Sequence, residues 1–206
     1  PEVRSRIEAQ YAEPVGDTVS IEPTYFPYRL EKLHGVYSFA DGRLQMEGVR
    51  CQHGETQISA SGECLIDPNG GWRLDLQRMF VDRLAVDRDL LNALPEALKK
   101  PTTMLEPTGR FNLRGNIALA GSGVPGQPLA ADWNLTIDCH NNSLQCGVPL
   151  HGIHGSLSLV GSSQAGRFES SGELQLDSVF YGDYQLTEVL GPLWVDNEQV
   201  LLGFWA

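Results

Sequence analysis

The sequence has few positive charges, few aromatic side chains and no long apolar run. Lysine and arginine together number 15 against 26 acidic residues, which gives a net charge of −11, and aromatic residues make up 8% of the chain. Without a basic stripe to neutralise phosphates, nucleic acid is excluded as a partner and an anionic membrane surface is disfavoured. No stretch approaches the roughly 18 to 20 apolar residues that a membrane span requires. Because the chain opens at Pro1 without a signal-like segment, we expect it to be a piece of a longer protein.

The four cysteines, Cys51, Cys64, Cys139 and Cys146, lack the C-x-x-C pairs and nearby histidines of a zinc site, so we expect no metal. If Asn142-Ser143 forms a two-residue hairpin loop, Cys139 and Cys146 face each other across adjacent strands and a disulfide is possible. The alternative is that both are buried free thiols, as we predict for Cys51 and Cys64. An even count permits an oxidising compartment without requiring one.

Strict alternation of apolar and polar residues recurs along the chain and predicts a mainly antiparallel all-β fold. The 22 glycines and 12 prolines fit many short strands and turns better than a helical bundle. The alternating apolar residues are Val19-Ile21, Leu44-Met46, Ile58-Ala60, Trp72-Leu74-Leu76, Phe111-Leu113, Ile117-Leu119, Trp133-Leu135-Ile137, Leu157-Leu159 and Leu174-Leu176. The predicted turns are Asp41-Gly42, His53-Gly54, Asn69-Gly70-Gly71 and Gly161-Ser162-Ser163.

One region has helical spacing instead. Leucines between 90 and 98 predict one or two short helices over roughly 88–106, capped by Asp87 or Asp89, with Pro95 in a first turn and Pro101 limiting the continuation. A further helix is predicted for residues 1–10, where Val3 and Ile7 share a helical face.

Internal similarity predicts two repeat units, 1–94 and 95–206, within one continuous sheet, with an insertion near 116–146 in the second. The motif L-x-x-[LIV]-x-G occurs three times, each time opening a predicted strand, at Leu30–Gly35, Leu150–Gly155 and Leu186–Gly191. A second echo pairs Ile58–Glu63 with Phe168–Glu173. Residues 121–128 are predicted to form a surface loop within the insertion.

Each predicted strand has one apolar face, and the predicted helices are too few to cover these faces. The sheet must therefore fold on itself. Two solutions remain open from the residues alone. One is a closed β-sandwich or barrel filled with side chains, and the other is a curled trough whose apolar interior is completed by a ligand. The repeats favour the open form, because stacking one strand unit along an axis generates a groove or solenoid.

Five features of the sequence occur in a fixed order. They are L-x-x-L-x-G at Leu30–Gly35, a short hairpin over 36–48, a strand ending in Ser61-Gly62-Glu63, the turn Leu94-Pro95-Glu96 and a restart of the strands at Pro107-Thr108-Gly109. Together they resemble the AsmA-like, repeating β-groove proteins of bacterial envelopes. The resemblance covers most of the chain. It implies a twisted, taco-shaped sheet in the periplasm, within a larger membrane-anchored protein. It also implies a non-enzymatic role in phospholipid transport between membranes, with no cofactor. The expected partners are a phospholipid or other acyl-chain ligand and adjoining repeats of the same chain.

If a groove exists, we expect its lining to be the alternating apolar side chains, although each of them fits a closed core equally well. Burial stabilises such a side chain by about 1.5 to 3 kcal/mol against either protein or lipid. The candidate lining residues are Leu44, Met46, Ile58, Trp72, Leu74, Leu76, Trp133, Leu135, Ile137, Leu157, Leu159, Leu174 and Leu176.

Catalytic patterns are weak. His151 and His154 look paired, but a separation of three in a strand predicts opposite faces. Gly121-Ser-Gly123-Val-Pro-Gly126 matches G-x-G-x-x-G without the helix that a nucleotide site needs. The second hypothesis is a structural or carbohydrate-binding β-module of a cell-surface protein, since the four tryptophans could stack on sugars. Trp72 and Trp133 alternate with polar residues inside strands and so fit a core better than a sugar site. An enzyme ranks third.

Overall fold

In a computed structural model, residues 4–9, 19–94, 96–124 and 127–203 are described, and eleven of their segments form one antiparallel sheet. This confirms the predicted class, since the sheet is curled and unclosed and carries two short helices. The strands are β1 (Arg4–Ala9), β2 (Glu31–Ala40), β3 (Arg43–His53), β4 (Thr56–Ile66), β5 (Trp72–Ala85), β6 (Arg110–Gly121), β7 (Ala130–Gln145), β8 (Pro149–Gln164), β9 (Arg167–Tyr181), β10 (Tyr184–Asp196) and β11 (Val200–Leu202). The helices α1 (Arg88–Ala93) and α2 (Glu96–Leu105) lie between β5 and β6.

Each strand pairs with the next one along the chain, so the sheet order is the chain order from β1 to β11. The pairing of β5 with β6 continues the sheet past the helices, so one sheet runs through both proposed repeat units. At a strand spacing of about 4.8 Å, the sheet extends about 48 Å from β1 to β11 if laid flat.

The strand ends form two rims. The helix rim holds the turns at 54–55, 146–148 and 182–183 together with α1 and α2, and the loop rim holds the turns at 41–42, 67–71, 165–166 and 197–199 and the connection from β6 to β7. Residues 19–30 form a strap before β2. The ring of Tyr25 lies 5.3 Å from that of Trp72 at the loop rim, and the ring of Tyr28 stacks at 4.0 Å on His53 at the helix rim.

The ring contacts show that the strap runs across the sheet from one rim to the other. Tyr25 and Tyr28 are only three residues apart, yet they contact Trp72 at the loop rim and His53 at the helix rim. Because the sheet is curled and unclosed, it forms a trough whose mouth lies between the two rims.

The curl has a local cause in six bulges of the same form. In each bulge, two apolar residues that are three positions apart lie on the same face of the sheet. One of the residues between them has a left-handed backbone conformation. The six residues are Lys32, Gly48, Arg78, Arg83, Gly152 and Glu188, with φ between 51° and 58°. Each bulge bends its strand and increases the local twist. All three L-x-x-[LIV]-x-G motifs contain one, at their third position.

Neighbouring side chains satisfy the backbone groups that the bulges release. The N–H of Arg78 donates to Oδ1 of Asn116 at 3.1 Å, and the N–H of Arg83 donates to Oδ1 of Asn112 at 3.0 Å. In the same way, the N–H of Gly48 donates to the hydroxyl of Ser61 at 3.1 Å. An unpaired backbone N–H would be costly. Because these side chains accept hydrogen bonds from the released N–H groups, the sequence stabilises the bulges.

The two helices agree with the predicted region. Asp87 is the N-cap of α1, since its Oδ1 accepts a 2.9 Å hydrogen bond from the N–H of Leu90. The expectation that Pro101 limits the helix is wrong, because α2 continues through it to Leu105. Pro95, predicted for a first turn, lies outside the described residues.

Four local predictions are corrected. Residues 4–9 form β1 and not a helix, because they pair with β2 from Arg4 opposite Ala40 to Ala9 opposite Gly35. Asn142-Ser143 and Gly161–Ser163 are not turns but lie within β7 and β8, whose 16 residues each exceed common strand lengths. Ile21 makes only an isolated bridge to Leu30, so no strand forms there. The turn at Asp41-Gly42 is confirmed, whereas the turns predicted at His53-Gly54 and at 69–71 each lie one residue away, at 54–55 and 68–70.

In the part of the chain that the structure describes, no helix has the length and apolarity to cross a membrane.

Candidate functional site

The inner face of the curled sheet is a continuous apolar surface made by cross-strand register. One ladder of directly paired residues crosses nine strands, from Tyr37 on β2 through Trp133 on β7 to Val195 on β10. A second ladder runs beside it, nearer the loop rim. The members of the two ladders are Tyr37, Met46, Gly62, Leu76, Ile117, Trp133, Gly161, Ser170 and Val195, and Phe39, Leu44, Cys64, Leu74, Leu119, Ala131, Ser163 and Phe168.

We call the surface formed by these two ladders the open half. Its side chains are half-buried, and only Phe168 and Ser170 fall below a tenth of their possible exposure. Neither ladder contains aspartate, glutamate, lysine or arginine. The open half is therefore an uncharged wall that other parts of the described chain cover only in part.

The inner face next to the helix rim is packed instead, and we call it the filled half. One cluster is centred on Phe111, Cys139, Ile153, Leu176 and Val179, with Ile153 at 2% exposure. A second cluster joins Tyr28 of the strap to Leu90 and Ala93 of α1. The strap and α1 thus act as the core layer that the sheet alone lacks.

Asn142 ties the filled half to the chain that leaves α2. It is fully buried at 0% exposure. Its Oδ1 accepts from the N–H of His140 at 2.6 Å, and its Nδ2 donates to the carbonyls of Thr108 and Arg110 at 3.2 and 3.1 Å. This network fixes the segment after α2 against β7.

Trp133 forms a fixed plate in the open half. Its ring stacks on Phe168 with centroids 5.1 Å apart, and its Nε1 donates to the hydroxyl of Ser170 at 3.2 Å. The ring lies across Gly161, where an added Cβ would come within 2.6 Å of it. Because its N–H is already used, the exposed part of the plate offers a ligand only apolar contact.

The outer face carries the charge that the inner face lacks. The guanidinium of Arg73 makes two 3.0 Å hydrogen bonds to the carboxylate of Asp75, and Arg43 lies 3.4 Å from Glu63. Arg114 pairs with Asp138 on the same side. The sheet is therefore amphipathic, with water on one face and apolar material on the other.

A cavity of about 380 Å³ joins the two rims beneath α2. Residues from the helix rim, from the end of α2 and from the turn between β10 and β11 all line it. They are Gln145, Cys146 and Gly147, then Met104 and Leu105, then Asp196, Asn197, Glu198, Gln199 and Val200. α2 therefore bridges the mouth of the trough.

All thirteen predicted lining residues lie on the inner face. Cross-strand register places all of them there. Leu44, Met46, Leu74, Leu76 and Trp133 belong to the open half, whereas Ile58, Ile137 and Leu174 pack against the filled-half clusters. Leu176 is buried at 5% exposure. The prediction that these residues contact a ligand stays a prediction.

The predicted disulfide is wrong. Both Cys139 and Cys146 are free thiols, and they belong to β7 and the turn that follows it, not to facing strands. The hairpin loop that would have opposed them does not form, since β7 runs through Asn142-Ser143. Burial raises the pKa of the Cys139 and Cys51 thiols to about 11, which fits the alternative of inert buried cysteines.

The bulge at Gly152 overturns the predicted placement of His151 and His154 on opposite faces. Leu150 and Ile153 both pack into the filled half, so His151 and His154 both lie on the outer face. His154 is paired with His140 there, beside a shallow outer cavity of about 310 Å³. Even so, the described residues contain no group of three or more histidine, cysteine or acidic side chains that could hold a metal ion.

Sequence reasoning missed part of the open half and the buried anchor. The ladders also contain Tyr37, Phe39, Ile117, Leu119 and Phe168, which were not among the candidates. The signal for them was present, because each belongs to a run with a period of two. Asn142 had no such signal, since its partners are distant backbone groups.

Comparison with protein-family models, with curated proteins and with solved structures finds no match to this chain. The function must therefore be argued from the geometry of the inner face.

Proposed function

We propose that this chain is a non-enzymatic, lipid-binding segment of a larger membrane-anchored envelope protein. The apolar inner face of its sheet would hold phospholipid acyl chains and conduct them between membranes through the periplasm. The observation that carries the proposal is the open half, a continuous and uncharged apolar wall inside a sheet that does not close. A core wall would be covered by protein, and a wall facing water would carry polar groups.

Dimensions support the same ligand. One leaflet of a bilayer holds acyl chains of about 15 Å, half of the roughly 30 Å hydrocarbon core. The sheet extends about 48 Å from β1 to β11, which is enough for more than one chain length along the trough. Because the fixed Trp133 plate offers only apolar contact, the wall suits acyl chains, and headgroups would remain at the mouth.

The proposal is tested by organic extraction of the purified, denatured protein followed by lipid mass spectrometry. We expect about one or more phospholipids per chain and none from a closed β-sandwich of similar size purified in parallel. Leu76→Glu places a charge on the open half and should abolish the signal, because a carboxylate in an apolar groove is costly. Gln77→Glu, at the exposed neighbouring position on the outer face, should keep it.

Two results would contradict the proposal. The first is wild-type protein with no more phospholipid than the control. The second is equal phospholipid in both variants, which would place the lipid elsewhere. In either case the structural or carbohydrate-binding module becomes the better account.

A further inference from the structure

The cavity beneath α2 is a lateral opening of the trough, between its two rims. Its lining mixes the helix rim, the loop rim and the end of α2. Val200 of this lining pairs with Val195, which lies opposite Ser170 in the ladder of Trp133. The cavity therefore borders the end of the open half.

The two sides of α2 are held very differently. After α2, Thr108 and Ser143 exchange two backbone hydrogen bonds of 3.0 and 3.1 Å, and the buried Asn142 binds the same segment. This side of α2 is anchored to the helix rim. Towards the loop rim, α2 faces the turn at 197–199 across the cavity.

Met104 shows that α2 leaves apolar surface uncovered at this point. It lies in the last turn of α2, it lines the cavity, and it is 61% exposed. The lining also includes the carboxylates of Asp196 and Glu198 but neither lysine nor arginine. An apolar contact beside carboxylates suits an acyl chain whose headgroup carries an ammonium group and disfavours an anionic headgroup.

We propose that this cavity is a side port through which the acyl chain of an aminophospholipid enters the open half, and that α2 is its lid, hinged at Thr108 and Asn142. The inference rests on the proposed function, since it assigns a path to the same ligand. Lids of this kind move about a fixed side and expose the site when the free side lifts.

The test pins the free side of the lid in the full chain. In a Cys64→Ala, Cys146→Ser background, which removes the accessible native thiols, Met104→Cys with Glu198→Cys places one thiol on α2 and one on the loop rim. A short bis-methanethiosulfonate reagent joins them, and dithiothreitol releases the link. The matched control, Thr108→Cys with Ser143→Cys, links the hinge in the same way and leaves the port untouched.

Uptake is measured from phosphatidylcholine vesicles that carry a fluorescent acyl-labelled phosphatidylethanolamine. We expect the link between 104 and 198 to reduce uptake to background, and dithiothreitol to restore it. The hinge link should leave uptake unchanged. In the wild-type protein, which keeps Glu198, phosphatidylglycerol with the same fluorescent chain should load more slowly than phosphatidylethanolamine.

Several outcomes would overturn the inference. Full uptake by the protein linked at 104 and 198 would show that lipid does not pass this port, while leaving the proposed function intact. An equal loss of uptake with the hinge link would contradict the assignment of the hinge to Thr108 and Asn142. Equal uptake of the two headgroups would remove the aminophospholipid assignment. Absence of uptake in every form, the unlinked protein included, would instead be a failure of the proposed function.

A second readout follows the lid without lipid. Spin labels at positions 104 and 198 should give two distances by pulsed electron resonance, one for each position of the lid. Labels at 108 and 143 should give one. A single short distance between 104 and 198 would overturn the lid regardless of the uptake result.

Discussion

The filled half and the open half are made by the same strands and nearly the same kinds of residue, yet only one of them is packed. In the filled half, Ile153 is 2% exposed because it packs with Phe111, Cys139 and Leu176, and the strap and α1 cover the neighbouring cluster. In the open half, Leu74 and Ile117 remain half-buried beside equally apolar neighbours. The difference comes from what covers each half and not from its own composition. A strand pattern therefore predicts which face is apolar but not whether protein or ligand completes it.

The largest predicted contrast between the halves is in stability. Ile153→Ala removes a fully buried side chain and should lower the free energy of unfolding by about 2 to 5 kcal/mol. Ile117→Ala, its counterpart in the open half, should cost about 1 kcal/mol in lipid-free protein, because less apolar area is lost. Urea unfolding of both variants measures this, and equal losses would contradict the distinction between the halves.

The anchor of the filled half should be nearly as sensitive. Asn142→Ala removes one acceptor and two donors from buried backbone groups, and we expect a loss of about 2 to 4 kcal/mol. Asn134→Ala, on the exposed outer face of the same strand, should change stability by less than about 0.5 kcal/mol. Thermal unfolding compares the two, and a small effect at position 142 would show that the network does not hold the segment after α2.

The next prediction concerns the bulges, which keep the apolar residues of both halves on one face of the sheet. A substitution there should have a smaller effect on stability, and it should stabilise the protein. Glu188 has a φ of 55°, which is strained for a side chain but not for glycine. Glu188→Gly should therefore raise the free energy of unfolding by about 0.5 to 1 kcal/mol. Thr187→Gly, at the preceding extended residue, should lower it by a similar amount. If both substitutions destabilise the protein, the left-handed bulge is not formed there.

Native thiols offer the smallest perturbation, since no substitution is required. Burial is the main cause of the raised thiol pKa values of Cys64, in the open half, and Cys139, in the filled half, where the pKa rises to about 11. At pH 8 we expect maleimide to modify the half-buried Cys64 faster than Cys139, because thiolate and access are both greater there. Adding phospholipid should slow the reaction of Cys64 alone. Protection of neither cysteine would count against lipid in the open half.

The sequence predicted the fold class and the apolar face because a period of two is a local signal. All thirteen candidate lining residues lie on the predicted face, including Leu44 and Leu174, which are far apart in the chain. It failed where one residue breaks the period. The left-handed Gly152 places His151 and His154 on one face, and β7 continues through Asn142-Ser143 although those residues favour turns.

The division into two halves was beyond local signals altogether. It depends on where the strap and α1 pack, and these contacts join residues as distant as Tyr28 and Leu90. Residues 4–9 illustrate the same limit, because pairing with β2 overrides their helical spacing. Tertiary contacts thus decided which part of a uniform apolar face became core.

The most direct test of the account is photocrosslinking to radiolabelled phospholipid from p-benzoylphenylalanine placed at one position at a time. The positions are Leu44 in the open half, Gln45 beside it on the outer face and Leu144 in the filled half. The account predicts labelled protein from position 44 and background from positions 45 and 144. Equal labelling at all three positions, or labelling at 144 without 44, would contradict the claim that the open half is the lipid-binding surface.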